Sequence, residues 1–234
     1  MLFAVLALLY DVHGNLLALR AVLEDARGRG AARFLLGGDY ALFGPWPAET
    51  VAVLRELGDA TWIRGNGERW TAHPDDAPDD DLVQGAIAAC REALGGAAVD
   101  ELAGFPETHP HGGTLFCHAS PGSDVRSFFP QPAEDEAELL EGVTATRLVF
   151  GHTHLPFART TEGGIELVNP GSVGMPFDGD PRAAYAMLHD DGSLDHHRVG
   201  YDHAATAAAV RERFAGAWAG TVAARIEQAR FDVS

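Results

Sequence analysis

The sequence predicts an α/β fold: parallel βα units first, antiparallel strands after them, and a helical close. Three observations predict it. In the first half, apolar runs of strand length alternate with apolar residues at helical spacing, the pattern of βαβ units on a mostly parallel sheet. Beyond residue 155, two pairs of short strand-like runs each flank a glycine turn. The last stretch, about thirty residues, is rich in Ala with Arg and Glu, which suits one or two helices.

The elements follow in order. Phe3–Leu9 is a continuous apolar run, as in a strand covered on both faces. The opening MLFAVLALLYD could pass for a signal peptide, but no basic residue precedes the run, no small-residue cleavage site follows it, and Asp11 stops it too soon to span a membrane. Leu16, Leu19, Val22, Leu23 and Ala26 recur at helical spacing, and Gly28 and Gly30 end that helix. Phe34–Leu36 is a second strand. Pro47 opens a helix through Leu57, which Gly58 stops. Thr61–Arg64 is a third strand. The acidic loop PDDAPDDD (74–81) precedes a helix over Leu82–Leu94, where carboxylates suit a helix N-terminus. Thr114–Cys117 and Arg147–Phe150 are further strands, with an acidic helix near 133–141 between them. Runs 157–160 and 165–168 flank Gly163-Gly164, and runs 183–189 and 194–199 flank Asp191-Gly192. With no linker and no internal repeat, residues 1–234 read as one domain.

Composition narrows the partners. The 234 residues include 46% apolar and 22% charged types, ordinary for a soluble globular chain with a real core. The net charge is −17, which repels polymeric nucleic acid and anionic membranes. A small anionic substrate stays admissible, because a bound cation reverses the field locally. Two cysteines, Cys90 and Cys117, make neither a disulfide framework nor a CxxC zinc site, and reduced thiols suit a cytoplasmic chain.

The chemistry gathers at strand ends. The first strand ends in Asp11-Val12-His13-Gly14-Asn15, the second in Gly37-Gly38-Asp39, and the third in Gly65-Asn66-Gly67-Glu68. The strand at 114–117 runs into His118. The run LVFGHTHLP (148–156) ends in Gly151-His152-Thr153-His154. One HxH alone is weak evidence. In a parallel sheet, however, strand ends share one edge, so Asp11, His13, Asp39, Asn66, His118, His152 and His154 are delivered to one place. Imidazole and carboxylate suit Mn, Fe, Co, Ni or Zn. Seven such side chains exceed what one ion with an open position needs, and they suit two divalent ions sharing a bridging carboxylate.

These residues resemble the calcineurin-like metallophosphoesterases, whose pattern is DxH, GD, GN, a lone H, then GHxH. Here it reads DVHGN, GGDYALFGP, RGNGE, CHASP and GHTHLP in order over about residues 1–155, with NPGSVG (169–174) like the family's following turn. The length is similar to the small bacterial and archaeal phosphodiesterase branch. The resemblance implies a four-layer α-β-β-α sandwich of two mixed sheets flanked by helices. It implies that Asp11, His13 and His154 hold one metal, that Asn66, His118 and His152 hold the other, and that Asp39 bridges them, with Asn66 and His118 also acting in catalysis. Neighbouring side chains of an extended segment point apart, so His152 and His154 would each serve a different ion. A water or hydroxide held between the metals would attack phosphorus. Manganese is the first choice of metal.

Two positions depart from the family. Gly67 stands where many members carry a His thought to protonate the leaving oxygen. Glu68 beside it is an alternative acid, although a surface salt bridge with Arg64 or Arg69 is the expected role. Tyr10 replaces a usual serine and is expected to pack. Asn15, Arg69 and Arg126 are candidate phosphate contacts, set against helix capping for Asn15 and surface charge for the arginines. Trp46, Trp62, Trp70 and Phe43 are candidate walls for a base, set against ordinary packing. His109 and His111 have metal-like spacing but are expected in a surface loop, and the other histidines carry no functional reading. The expected function is a two-metal phosphodiesterase acting on small phosphodiesters or cyclic nucleotides. A phosphomonoesterase or protein phosphatase of the same family, and a metal-binding scaffold for a protein partner, are the alternatives. A homo-oligomer is compatible with the sequence.

Overall fold

The computed structural model describes residues 5–233. Its strands form two mixed five-stranded sheets flanked by helices, the architecture expected. In the first half, β1 (Val5–Leu9), α1 (Leu16–Gly28), β2 (Ala31–Leu36), α2 (Pro47–Arg55) and β3 (Ala60–Trp62) make two successive βαβ units, with β1 parallel to β2 and β2 parallel to β3. Then come α3 (Asn66–Ala72), a 3-10 turn at Pro74–Asp76, α4 (Asp81–Leu94) and α5 (Gly96–Ala103). The second sheet is built from β4 (Thr108–His111), β5 (Thr114–Cys117), β6 (Arg147–Val149), β7 (Phe157–Thr160) and β8 (Glu166–Asn169), with α6 (Glu136–Leu139) between β5 and β6. The chain returns to the first sheet with the hairpin β9 (Ala183–Leu188) and β10 (Leu194–Val199), then closes with α7 (His203–Arg213) and α8 (Ala217–Gln228).

The sheet orders are β10-β9-β1-β2-β3 and β4-β5-β6-β8-β7. The apolar run of β1 is continuous because both its faces are covered. Leu8 packs with Leu35, Phe116, Val149 and Val168 in a core between the sheets, and Leu6 packs against that core. Ala7 and Leu9 point the other way, into a core shared with α1, α2 and α4. This period of two, buried on both sides, is what a central strand of a covered sheet requires.

The outer layer of the second sheet is thin. Phe128 packs there with Phe150 and Leu167, and Leu139 and Leu140 of the α6 region pack against them. The acidic helix expected near 133–141 is only the four residues of α6, since exposed carboxylates leave it little apolar face to dock. Part of the predicted strand Phe3–Leu9 lies outside the described residues. Other expectations are corrected. The third strand stops at Trp62, before the predicted Arg64. His109 and His111 lie in β4, paired antiparallel with β5, not in a loop. Two short helices, α3 and α5, start in glycine-rich stretches whose composition signals loop. Among the described residues, no helix is long and apolar enough to cross a membrane.

Candidate metal centre

The segments after β1, β2, β5 and β6, with the first turn of α3, bring all seven expected ligands together. The ends do not share one sheet edge, as a single parallel sheet would give. β1, β2 and β3 belong to one sheet and β5 and β6 to the other, so the cluster straddles both.

The backbone is bent sharply at these positions. Asp11 (φ 54°), His13 (48°), Asp39 (57°), His152 (67°) and His154 (58°) occupy the left-handed region, where side chains other than glycine are strained. Cross-loop hydrogen bonds hold them there. His13 N–H donates to Asp39 O at 2.8 Å, Gly151 N–H to His118 O at 2.7 Å, and Gly174 N–H to Asp11 O at 2.9 Å. The NPGSVG turn buttresses the same loops: Ser172 Oγ donates to Asp11 O at 2.7 Å, and Asn169 Nδ2 donates to Gly151 O at 3.0 Å.

Ring nitrogens and oxygens then converge. His13 Nδ1 donates to Leu42 O at 3.0 Å and His154 Nδ1 to Met175 O at 2.5 Å, because a carbonyl can only accept. In neutral rings this leaves both Nε2 atoms as bare lone pairs, and they face each other at 3.1 Å. Two lone pairs in that position repel unless a cation lies against them. Burial, then the His154 ring, holds the His13 pKa below the ordinary histidine value, which keeps that lone pair free. Asp11 Oδ1 lies 3.5 Å from His154 Nε2. Beside this group, Asn66 Oδ1 lies 2.9 Å from His118 Nε2 and 3.0 Å from His152 Nδ1. Burial, then His118, pushes His152 down to about 4. For His118 burial is again the largest influence and acts downward, but Asp39 and Asp11 outweigh it and raise the pKa. Asp39 stands between the groups, with Oδ2 3.7 Å from His13 Nε2 and Oδ1 3.5 Å from His118 Nε2. Imidazoles and an amide oxygen around two buried carboxylates form a donor set that fits divalent transition ions.

Several neighbours depart from expectation. Glu68 is not in a surface salt bridge. It is buried, and its carboxylate accepts N–H groups from Asp39, Tyr40 and Gly65, each at 2.8 Å. Burial, then the Asp39 charge, raises it to about 7. Its expected partners are engaged elsewhere, Arg64 with Glu107 and Arg69 with Asp124 and Asp76. Arg69 forms a two-pronged pair with Asp124, at 2.6 and 2.7 Å, and so is not free to bind phosphate. Asn15 is buried as the cap of α1: Oδ1 accepts from Ala18 N–H at 3.1 Å, and Nδ2 donates to Gly174 O at 2.8 Å. Arg126 does line the cavity over the centre, but Asp135 and Glu138 hold it. Tyr10 packs as expected, buried, with its hydroxyl donating to Val149 O at 3.2 Å.

That cavity has a volume of about 830 Å³, with His13, Asp39, Asn66, His152 and His154 among its lining residues. Of the four aromatic candidates, Phe43 and Trp70 line it, while Trp62 stacks on Phe105 elsewhere. Sequence reasoning missed three further lining residues, Phe177, Arg225 and Phe231. Arg225 sits in a helix that reads as ordinary amphipathic surface, and only its tertiary position marks it.

Known proteins resemble this chain in sequence and fold. Residues 1–193 match the family model of the calcineurin-like phosphoesterase superfamily domain. An uncharacterized protein of Methanocaldococcus jannaschii is 29% identical over 226 residues, spanning 86% of this chain and 90% of its own. The phosphodiesterase YfcE of Escherichia coli is 30% identical over 192 residues, spanning 77% of this chain and 85% of its own. The crystal structure of a metallophosphoesterase from Sphaerobacter thermophilus matches with a TM-score of 0.80 at 27% identity, over 97% of this chain and 99% of that one. With its motifs in order, its donor set assembled and most of its length matched, the chain belongs to the calcineurin-like phosphoesterase superfamily and is a metal-dependent phosphoesterase.

Proposed function

We propose that the protein is a phosphodiesterase of the cytoplasm, acting on small phosphodiesters, cyclic nucleotides among them, at a centre of two divalent transition ions, manganese first. Asp11, His13 and His154 would hold one ion, Asn66, His118 and His152 the other, and Asp39 would serve both. The observation that carries the reading is the pair of Nε2 lone pairs facing at 3.1 Å beside Asp11 and Asp39. The two oxygens of Asp39 turned toward different histidines support its bridging role. The name of the Escherichia coli relative supports diesters as the substrate class.

When bound, such ions supply Lewis-acid charge to phosphoryl oxygens and acidify a water to a pKa of about 7. The chain's own residues place the substrate and keep the donors fixed. The carbonyls of Leu42, Met175 and Gly37 hold the tautomers of His13, His154 and His118. Asn66 turns its oxygen to the histidines and lines the cavity, so its amide nitrogen would serve as a donor to a phosphoryl oxygen. Gly67 offers no proton to the leaving oxygen. A phenol leaves readily without one, at a pKa of about 10 on the tyrosine scale, whereas an alkoxide leaves badly. Aryl diesters should therefore be far better substrates than alkyl monoesters.

The test combines metal analysis with a screen of phosphomonoesters, linear diesters and cyclic nucleotides in added manganese. Purified protein should carry close to two ions per chain on this account, in line with the two-metal clamp, and chelation should abolish hydrolysis until metal returns. Asp39→Ala should lose more metal than any other single ligand change, because it touches both ions. Unchanged metal content in that variant would sink the bridging assignment, and a preference for monoesters would move the substrate class.

A further inference from the structure

The exposed large hydrophobic side chains among the described residues are Val125, Phe129 and Phe231, and all three line the cavity over the metal centre. A cavity of about 830 Å³ is far larger than one phosphate needs, and these three exposed apolar side chains gather at it, beside the carboxylates of Asp80 and Asp135, on a chain of net charge −17. Exposed apolar surface concentrated at one opening marks a binding site.

One wall of this mouth comes from the C-terminal helix and tail, beyond the 1–193 stretch that matches the family model. Helix α8 ends at Ala229 in the left-handed conformation, φ 51°, which turns the chain back on itself. Gly179 N–H donates to Ala229 O at 2.9 Å and pins the turn beside the segment that carries Phe177. Phe231 is thereby laid over Arg225: the guanidinium carbon sits 4.2 Å from the ring centroid, and Nε donates to Phe231 O at 2.9 Å. Phe231 meets Phe177 edge-on at 5.5 Å, and Phe177 stacks on His154 at 4.4 Å and 15°. A continuous run of rings thus leads from a metal-site histidine to the mouth.

Two guanidinium groups line the cavity. Arg126 is ion-paired with Asp135 and Glu138, whereas Arg225 makes no such close pair among the described residues, the charges of Asp232 and Asp80 acting on it from further off. Its Nε is used and its plane is fixed by Phe231, so its terminal N–H groups remain as donors for a ligand.

We infer that Arg225, Phe177 and Phe231 form a specificity subsite for a flat ring bearing carbonyl acceptors, the base of a nucleotide diester, on the side of the phosphorus away from the leaving group. The rings supply stacking surface and the guanidinium supplies donors in a fixed fork, the combination that recognises a base edge. The inference rests on the phosphoesterase reading for the identity of the reacting phosphate.

The test uses two diesters with the same leaving group, thymidine 5′-(p-nitrophenyl phosphate) and ethyl p-nitrophenyl phosphate, hydrolysed by the manganese-loaded enzyme. Wild type should favour the thymidine ester by tenfold or more in kcat/KM, on the order of one base contact. Arg225→Ala and Phe231→Ala should each cut that preference about tenfold through KM, with a much smaller effect on the ethyl ester. Phe231 is an exposed tail residue, so its variant keeps the fold. Calorimetric titration of thymidine monophosphate against 2-deoxyribose 5-phosphate, both alkyl monoesters without a good leaving group, reads the subsite independently of diester cleavage. Tighter binding of the nucleotide, lost in both variants, supports the subsite even if neither diester is cleaved, in which case the phosphodiesterase reading alone fails. Equal affinity for the two ligands, or equal losses on both diesters, overturns the subsite.

Discussion

Gly67 shows how much one absent side chain sets at this centre. Its N–H donates to Asp39 Oδ1 at 2.7 Å, and a β carbon there would stand 2.8 Å from the same oxygen. From the sequence, a histidine at this place promises a proton donor for poor leaving groups. The structure changes that expectation, because any side chain at 67 presses on the carboxylate that faces both groups of ligands. Gly67→His should therefore hold less metal than wild type at equal free manganese, and any gain on alkyl esters should be limited by that loss. Metal titration with each protein checks it, and undiminished occupancy would show that Asp39 shifts freely. Glu68 is the second residue of this kind. Its two oxygens take three backbone N–H groups, so a Gln amide there must set an N–H against an N–H. Glu68→Gln should lose about 1–3 kcal/mol of stability, the cost of an unsatisfied buried donor. Urea unfolding of the metal-free protein measures it without interference from bound ions. Glu68 was misread from sequence because a Glu between Gly and Arg looks like a solvated surface residue. Only the fold, which brings three amides around it, makes it a buried scaffold.

At the level of elements, the two sheets are joined where β1 ends. The Tyr10 ring fills the space left by two glycines: a β carbon at Gly37 would lie 2.0 Å from the ring and one at Gly151 2.7 Å. Its hydroxyl reaches Val149 O in β6, across to the other sheet. Gly37→Ala must push this ring into a close-packed interior, and it should cost about 3 kcal/mol, at the upper end of ordinary overpacking. A lower midpoint in urea with an unchanged slope would report it. A loss under about 0.5 kcal/mol, the range of a surface change, would mean that the ring has room to move. The long periodic elements, α1, α4 and the two late hairpins, were legible because burial of one face writes its period into the sequence. The short elements α3, α5 and β4 were not. Their few residues carry no readable period, and tertiary contacts, with the Gly65 N–H donating to Glu68 at the cap of α3, decide their conformation.

Over the whole molecule, charge and cavity act together. A net charge of −17 opposes the approach of a polyanion, while Arg225, Arg126 and the ions that the ligand cluster would hold place positive charge inside the cavity. Long duplex DNA should bind weakly at physiological salt. The rate on a small diester should lack the steep fall with added salt that follows release of many counterions. Submicromolar duplex binding that weakens sharply as salt rises would show that a basic surface has been overlooked.

By itself the sequence determined the α/β class, the order of the main elements and the identity of the seven metal-site candidates. Each of these is written locally: strand and helix periods in the apolar residues, and ligands beside glycines at strand ends. It also carried the family likeness, since DxH, GD, GN, H and GHxH are local patterns. Only the tertiary structure decided that the strand ends belong to two sheets, that Asn15 and Arg69 are spent on capping and ion pairing, and that Glu68 is interior. It alone placed Arg225 and Phe231 at the mouth of the same cavity as His154, well over a hundred positions from Asp11. The physical reason is that a side chain's burial and its partners are properties of distant segments brought together. They leave no period and no neighbouring residue in the chain from which they could be read.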